Sequence, residues 1–252
     1  MKKSFGQHFL KDERIAKKIV GSADLHYLDL VVEVGPGEGA LTHEIIKLVA
    51  EKNLILIEAD RDLIPALEQN FYHTKIIKGD AAQISFDMLT TDYNWKFISN
   101  LPYNAGNAIL MNVLSCKNPP KLAVVMLQKE VAQKIIAKPG DMGILSVAVQ
   151  LYARTRKLFD VKPGSFLPPP EVMSSVLMLE PNQICSNPEA VIQLAKKGFS
   201  SRRKQLHRNL QEAGVAKSAE IQAALMSLGI SKTARAQELS ITHWVALYNL
   251  LY

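Results

Sequence analysis

Three glycines alternate in the run Glu33-Val34-Gly35-Pro36-Gly37-Glu38-Gly39, and an acid stands two residues ahead of the first. Glycine lets backbone N–H groups approach a ligand that a Cβ would keep away, and it supplies the positive φ that such a turn calls for. Neither the Gly-x-Gly-x-x-Gly of dinucleotide-binding loops nor the Gly-Lys-Ser/Thr of phosphate loops is present. No Lys or Arg lies beside the run to meet a phosphate. The acid, Glu33, suits instead a ligand with positive charge, such as a sulfonium or an ammonium group. Further along, Glu58 ends the apolar run Leu54-Ile55-Leu56-Ile57. Nucleotide-binding α/β folds keep an acid at this point for the two ribose hydroxyls. Asp60 competes for that role but equally suits the start of the next helix, so Glu58 is preferred. In Gly79-Asp80-Ala81, Asp80 can accept from the exocyclic amine of adenine while a neighbouring N–H, that of Ala81, serves a ring nitrogen. Taken alone, Asp80 would read as a helix N-cap.

The tetrapeptide Asn100-Leu101-Pro102-Tyr103 carries a second kind of chemistry. The N6 amine of adenine is a poor nucleophile because its lone pair is delocalised into the ring. A site that activates it must accept both N–H hydrogens, tilt the lone pair out of plane and hold the base flat. The Asn100 amide oxygen and the Leu101 carbonyl are suitable acceptors, Pro102 stiffens the turn without offering a donor, and Tyr103 presents a face on which a base can stack. An Asn-Pro turn with a buried Tyr is the ordinary reading of such residues, and their place behind the glycine run and two acids argues against it. The loop Pro163-Gly164-Ser165-Phe166-Leu167-Pro168-Pro169-Pro170 carries one aromatic, Phe166. That ring can stack on the other face of an extruded base, or it can lie in the core beside a proline-stiffened connection.

Short apolar runs at 31–34, 54–57, 75–78, 95–99, 122–127 and 174–179 predict strands, most of them buried on both faces as in a parallel sheet. Helical patterns fall between them: a helix after an Asp12 cap, and others over about 39–50, 61–70, 104–115, 128–138 and 144–153. Residues 157–161 read as a further strand. The order is that of an α/β, Rossmann-like sheet, in which Asn100–Tyr103 falls at the carboxyl edge where such folds bind ligands. The polar stretch from Pro181 to Pro188 predicts a linker. It separates a first domain over 1–181 from a small all-helical C-terminal domain over 182–252 with breaks at Gly214 and Gly229. The first helix of that domain is expected to bear Lys196, Lys197, Arg202, Arg203, Lys204, His207 and Arg208, with Phe199 among them.

A 252-residue chain that is 48% hydrophobic and 21% charged has the balance of a soluble globular protein. No apolar run approaches a membrane span, and Met1 to His8 lacks the apolar stretch of a signal peptide. Cys116 and Cys185 are the two cysteines, too few for a disulfide framework or a cysteine zinc site, so a cytoplasmic location without metal is expected. Net charge is +6; residues 1–180 hold 21 Lys+Arg against 20 Asp+Glu, and residues 181–252 hold 9 against 4. The excess in the last third favours a polyanion, nucleic acid first; a basic solvated helical face would look the same.

The glycine run with its leading acid resembles motif I of the S-adenosylmethionine methyltransferases. With the other motifs in order, the chain resembles, nearly end to end, the KsgA family of ribosomal RNA adenine N6,N6-dimethyltransferases. Gln7-His8-Phe9-Leu10 is similar to the family's N-terminal cofactor motif, Phe166 to Pro170 to its base-pocket loop, and Phe199-Ser200-Ser201-Arg202-Arg203-Lys204-Gln205-Leu206 to its Phe-x-x-Arg-Arg-Lys-x-Leu segment. In Arg235 to Ser240 the chain departs from the pattern by having Gln237 where Glu is expected. The resemblance implies S-adenosylmethionine held by Gln7, His8, Leu10, Glu33, Gly35, Gly37, Gly39, Glu58, Asp80, Ala81 and Asn100. It implies catalysis by Asn100, Leu101, Pro102, Tyr103 and Phe166, and RNA binding by Phe199, Arg202, Arg203, Lys204 and Arg208. The substrate it implies is a pair of adjacent adenines near the 3′ end of 16S rRNA, in the small ribosomal subunit or its precursor. A monomer is the simplest state.

Rival readings keep or drop the chemistry. An Erm-type 23S rRNA methylase would share the catalytic motifs, and the Arg202–Lys204 and Leu228–Ser240 segments argue against it. A DNA adenine methyltransferase would more often carry Asn-Pro-Pro-Tyr or Asp-Pro-Pro-Tyr. A non-catalytic assembly factor would be expected to show damaged motifs, and none is visible.

Overall fold

Runs of Val, Ile and Leu with no polar face become strands covered on both sides, and in this chain they build one sheet. The computed structural model describes residues 8–89 and 94–252. Phe9–Leu10 forms a short strand, β1, after which the Asp12 carboxylate accepts from the Arg14 N–H at 3.1 Å and caps α1 (Glu13–Gly21). The alternation that follows is β2 (Leu30–Val34), α2 (Thr42–Ile45), β3 (Leu54–Glu58), α3 (Ile64–Asn70), β4 (Lys75–Lys78), β5 (Trp95–Asn100), α4 (Gly106–Ser115), β6 (Leu122–Gln128) and α5 (Lys129–Ile135). After α6 (Ile144–Tyr152) come β7 (Ala153–Val161), the short β8 (Phe166–Leu167) and β9 (Ser174–Pro181). Helices α7 (Pro188–Gly198), α8 (Leu206–Glu212), α9 (Ser218–Ser227) and α10 (Ile241–Leu251) complete the described chain.

The main sheet has seven strands in the order β4-β3-β2-β5-β6-β9-β7, with β2 to β6 parallel and β9 antiparallel to β6. β1 pairs antiparallel with β8, Phe9 opposite Leu167 and Leu10 opposite Phe166. The chain runs outward from β2 to β3 and β4, then returns to the other side of β2 for β5 and β6. The switch of direction opens a crevice between the carboxyl ends of β2 and β5, where α/β sheets bind ligands. The expected α/β, Rossmann-like sheet is therefore the observed one, joined to a helical C-terminal region.

Two expectations change. Strict α-helix over 39–50 is confined to Thr42–Ile45, because left-handed glycines occupy the approach as far as Gly39 and the Ala50 N–H turns to the Tyr27 carbonyl at 3.0 Å. The chain also does not divide at one point. One unit runs through Ala132 and resumes over Arg154–Pro181; the other takes Gln133–Ala153 together with Asn182–Tyr252. The break after Pro181 coincides with the linker read from sequence, but the segment containing α6 groups with the helical unit. The Asn182 N–H donates to the Tyr152 carbonyl at 2.8 Å and the Gly140 N–H to the Gln237 carbonyl at 2.7 Å. An apolar helix such as α6 looks the same in sequence whichever core receives it.

Within the helical unit, Gly214 and Gly229 have φ of 68° and 71° and end α8 and α9. The Val215 and Ile230 N–H groups reach back to Leu210 and Leu225, which satisfies carbonyls the helices leave open. The buried His207 ring lies between Gln205 Oε1 at Nε2, 2.8 Å, and Ser218 Oγ at Nδ1, 2.7 Å. With the Gln205 oxygen as acceptor, Nε2 carries the proton and Nδ1 accepts from Ser218. Burial holds this imidazole below its ordinary pKa. Among the described residues no helix is long and apolar enough to cross a membrane.

Candidate active site

At the switch point Gly35, Gly37 and Gly39 have φ of 66°, 60° and 88°, the left-handed conformation expected of the run. A Cβ on Gly37 would stand 2.9 Å from the Phe9 ring, and one on Gly39 would stand 2.8 Å from Phe71. The protein's own aromatic rings thus fill the space that these missing side chains leave. The loop borders a cavity of about 290 Å³ that is also lined by His8, Leu10, Glu33, Glu58, Asp80 and Asn100.

Each carboxylate has a distinct setting. Glu33 projects from the buried β2 and accepts from Thr42 Oγ at 2.7 Å. Burial pushes its pKa up to about 8; the Thr42 hydroxyl opposes this and the nearby Glu58 adds to it. Glu58, at the end of β3, accepts from the Gly37 N–H at 3.3 Å and the Asp60 N–H at 2.9 Å. Its pKa is raised by burial against those two donors. Asp60, the competing acid, lies outside the cavity lining and accepts from the Asp62 N–H at 3.0 Å. Asp80 is exposed at the rim, where Ala82 N–H and Gln83 Nε2 hold its two oxygens at 2.9 and 3.0 Å. Sequence reasoning missed Asn112 of α4, whose Nδ2 donates to the Ala81 and Ile84 carbonyls at 3.0 and 2.8 Å and pins the Asp80 turn.

Glu33 gives the ligand-free protein a pH dependence with a definite sign. An unfolded glutamate titrates near its ordinary value of about 4.3, whereas the folded one holds its proton up to about 8. Between these limits the folded state binds more protons than the unfolded chain, so stability from this group falls as pH rises through the window. Melting temperatures from about pH 5 to about pH 9 should decline less steeply for Glu33→Gln than for the parent. Identical slopes would show that the buried carboxyl is already ionised.

The Asn100–Tyr103 corner leaves β5 directly against the glycine loop. The Leu101 N–H donates to Met126 O at 3.1 Å, and the Pro102 carbonyl accepts from Gly106 N–H at 2.7 Å. Among the described residues neither the Asn100 amide oxygen nor the Leu101 carbonyl has a protein donor, and both residues line the cavity. Tyr103 is half-buried, with its hydroxyl 2.9 Å from Ser174 Oγ and its ring 5.5 Å from that of His8. His8 Nδ1 donates to the Pro168 carbonyl at 2.8 Å.

Phe166 does not join them. It is 4% exposed and packs in the hydrophobic core, because pairing β8 with β1 turns Phe166 inward and leaves its neighbour Leu167 exposed. Phe166 thus takes the core position that its sequence also allowed, and it is not among the residues that line the cavity. Gln7, expected beside the cofactor, lies outside the described residues.

The basic segment of the helical unit is also arranged differently from expectation. Lys196 and Lys197 end α7, Arg202 to Lys204 sit in the turn that follows, and His207 and Arg208 belong to α8. A helix cannot continue because Gly198 lies under Trp244, where a Cβ would be 2.5 Å from the indole, and Asn209 Nδ2 binds the Gly198 and Ser201 carbonyls. Phe199 is partly buried, its ring 5.7 Å from Trp244. Lys204 is paired with Glu212 at 2.8 Å, Arg202 reaches the Met142 carbonyl at 3.5 Å, and Arg203 and Arg208 are exposed.

A parallel sheet whose switch point joins a left-handed glycine loop to buried acids and an uncommitted pair of acceptors belongs to the methyltransferase class of α/β enzymes. The chain is a member of the ribosomal RNA adenine dimethylase family, whose description matches residues 1–252. A ribosomal RNA small subunit methyltransferase A of Synechococcus elongatus is 38% identical, with 98% of this chain and 93% of the relative aligned. A dimethyladenosine transferase from Plasmodium falciparum shares the fold with a TM-score of 0.79 at 23% identity, covering 95% of this chain and 96% of its own. The 23S rRNA methyltransferase ErmE does so with a TM-score of 0.73 at 21% identity, covering 96% and 99%. Since both folds match at such low identity, the fold does not select between ribosomal targets.

Proposed function

We propose that this protein dimethylates N6 of two adjacent adenines in the hairpin near the 3′ end of 16S rRNA, in the small subunit or its precursor, using S-adenosylmethionine. The observation that carries the reading is the pair of uncommitted acceptors, Asn100 and Leu101, facing the same cavity as the buried acids and the Tyr103 ring. The choice of the small subunit rests on the 38% identity to a protein named for that target. A soluble, cytoplasmic monomer is the accompanying expectation.

The residues fit the cofactor on their own chemistry. Glu58 offers carboxylate oxygens to ribose hydroxyls, Asp80 and the Ala81 N–H frame a purine edge, and a cationic group beside Glu33 would favour the ionised form of a carboxyl that keeps its proton in the ligand-free protein. His8, Leu10, Gly35 and Gly37 close the wall. Bound there, S-adenosylmethionine supplies a methyl group activated on a sulfonium sulfur. Asn100 and Leu101 accept the two N6 hydrogens of an extruded adenine and turn its lone pair toward the cavity, while Tyr103 supports the ring. No basic side chain is required at this corner, since the amine becomes acidic as it is alkylated and loses its proton to solvent. Arg202, Arg203, Lys204 and Arg208, with Phe199 beside them, supply phosphate contacts that hold the RNA.

The test is methyl transfer from labelled cofactor to unmethylated small subunits, unmethylated large-subunit RNA and DNA, with the labelled nucleotide mapped. Label on the paired adenines of 16S rRNA is expected. Label on 23S rRNA would favour the Erm-type reading, and bound cofactor without label on any of them would favour an assembly factor.

A further inference from the structure

Dimethylation poses a problem that the Asn100–Leu101 pair alone does not solve. In the first transfer the adenine amine offers one N–H to each acceptor. Once a methyl has replaced one hydrogen, a single N–H remains, and the base loses part of what oriented it. Holding the second acceptor position must then fall to contacts with the ring, and the ring's support is Tyr103. The fixing of Tyr103 therefore matters more to the second transfer than to the first.

Ser174 does that fixing. It opens β9, is wholly buried, and its hydroxyl lies 2.9 Å from the Tyr103 hydroxyl. A buried hydroxyl needs a partner, and the phenol is the one the structure gives Ser174. The phenol in turn belongs to a residue that lines the cavity. Strand alternation sends the next residue, Ser175, elsewhere: its hydroxyl donates to Asp160 at 2.6 Å, and Asp160 is also paired with Lys129 and Lys157 at 3.0 and 2.8 Å. The start of β9 is thus anchored on one side by a partly exposed ion-pair group and presents a fixed hydroxyl to Tyr103 on the other. A stacking ring held at both its Cβ and its far oxygen cannot tilt freely.

Resting on the proposed dimethylation, we propose that Ser174 is a positioning residue that locks the Tyr103 ring and that the second methyl transfer depends on this lock more than the first does. Each transfer breaks the methyl carbon–sulfur bond as the N6–carbon bond forms, with the electron pair passing to sulfur and one N6 proton leaving to solvent. The lock alters no bond in that balance; it sets how often the monomethylated base is aligned for it.

The experiment follows the products of the full chain on unmethylated small subunits, separating N6-methyladenine from N6,N6-dimethyladenine over time, with cofactor affinity and melting temperature measured alongside. Ser174→Ala should slow the second transfer about 10-fold and the first by less than about threefold, so that monomethyl product accumulates, with cofactor affinity unchanged. Tyr103→Phe removes the same hydrogen bond from the other side and keeps the ring. It should give the same shift in product ratio, and the double variant should be no worse than the more affected single. A parent-like ratio in both singles would overturn the proposal, as would equal slowing of both transfers together with a lowered melting temperature. If Ser174→Ala does not fold, Tyr103→Phe alone decides by its product ratio. A parent protein that fails to methylate the small subunit would instead remove the reading on which the proposal rests.

Discussion

Asn100→Ala should lower turnover by about 100-fold or more while changing cofactor affinity by less than about threefold. At this corner the Asn100 amide oxygen and the Leu101 carbonyl have no protein donor among the described residues, and they lie where β5 ends against the glycine loop. Removing the amide oxygen leaves Leu101 to hold one hydrogen of the amine and frees the base to rotate out of line, a loss expressed in the transition state more than in binding. The part of Asn100 that approaches Gly35 is its backbone carbonyl, which alanine keeps. Equilibrium cofactor binding and single-turnover methyl transfer on small subunits separate the two effects. A fall in cofactor affinity that matches the fall in rate would make Asn100 part of the cofactor wall instead.

The second large effect is expected from Arg202→Ala combined with Arg203→Ala. Both residues are exposed in the turn after α7, and Arg203 has no acceptor among the described residues. If each neutralises one phosphate, the slope of log affinity against log salt should become shallower by about two and binding at low salt should weaken about 10- to 100-fold. Lys204→Ala should matter less, because Glu212 already offsets its charge. Titrations of small-subunit RNA over a range of salt concentrations give the slope directly. A slope that does not change would move the RNA surface to another face of the protein.

Most of what was legible in the sequence had a local physical cause. Continuous apolar runs gave strands buried on both faces, the leading acid and glycines marked the left-handed loop, and Asp12 signalled the start of α1. What escaped was decided by partners distant in the chain. Phe166 could face a base or the core, and pairing with Leu10 settled it. The run from Lys196 to Arg208 has the composition of one basic helix, yet Trp244 of α10 and Asn209 of α8 impose a turn in it. Ser174 and Asn112 carry no local pattern at all; their importance lies in hydroxyl and amide contacts to residues 71 and 31 positions away. The grouping of α6 with the helical unit escaped for the same reason.

The position of β9 between β6 and β7 has a consequence for how the protein is made. During synthesis β6 and β7 both precede the strand that separates them, so each must wait with an unpaired edge until β9 follows. Translation at roughly 5–20 residues per second makes that wait on the order of seconds. The same late segment carries β8, the partner of β1, and Ser174, the partner of Tyr103. The nascent chain therefore completes its sheet, its pocket wall and its stacking ring in one closing event, after most of the catalytic unit has left the ribosome.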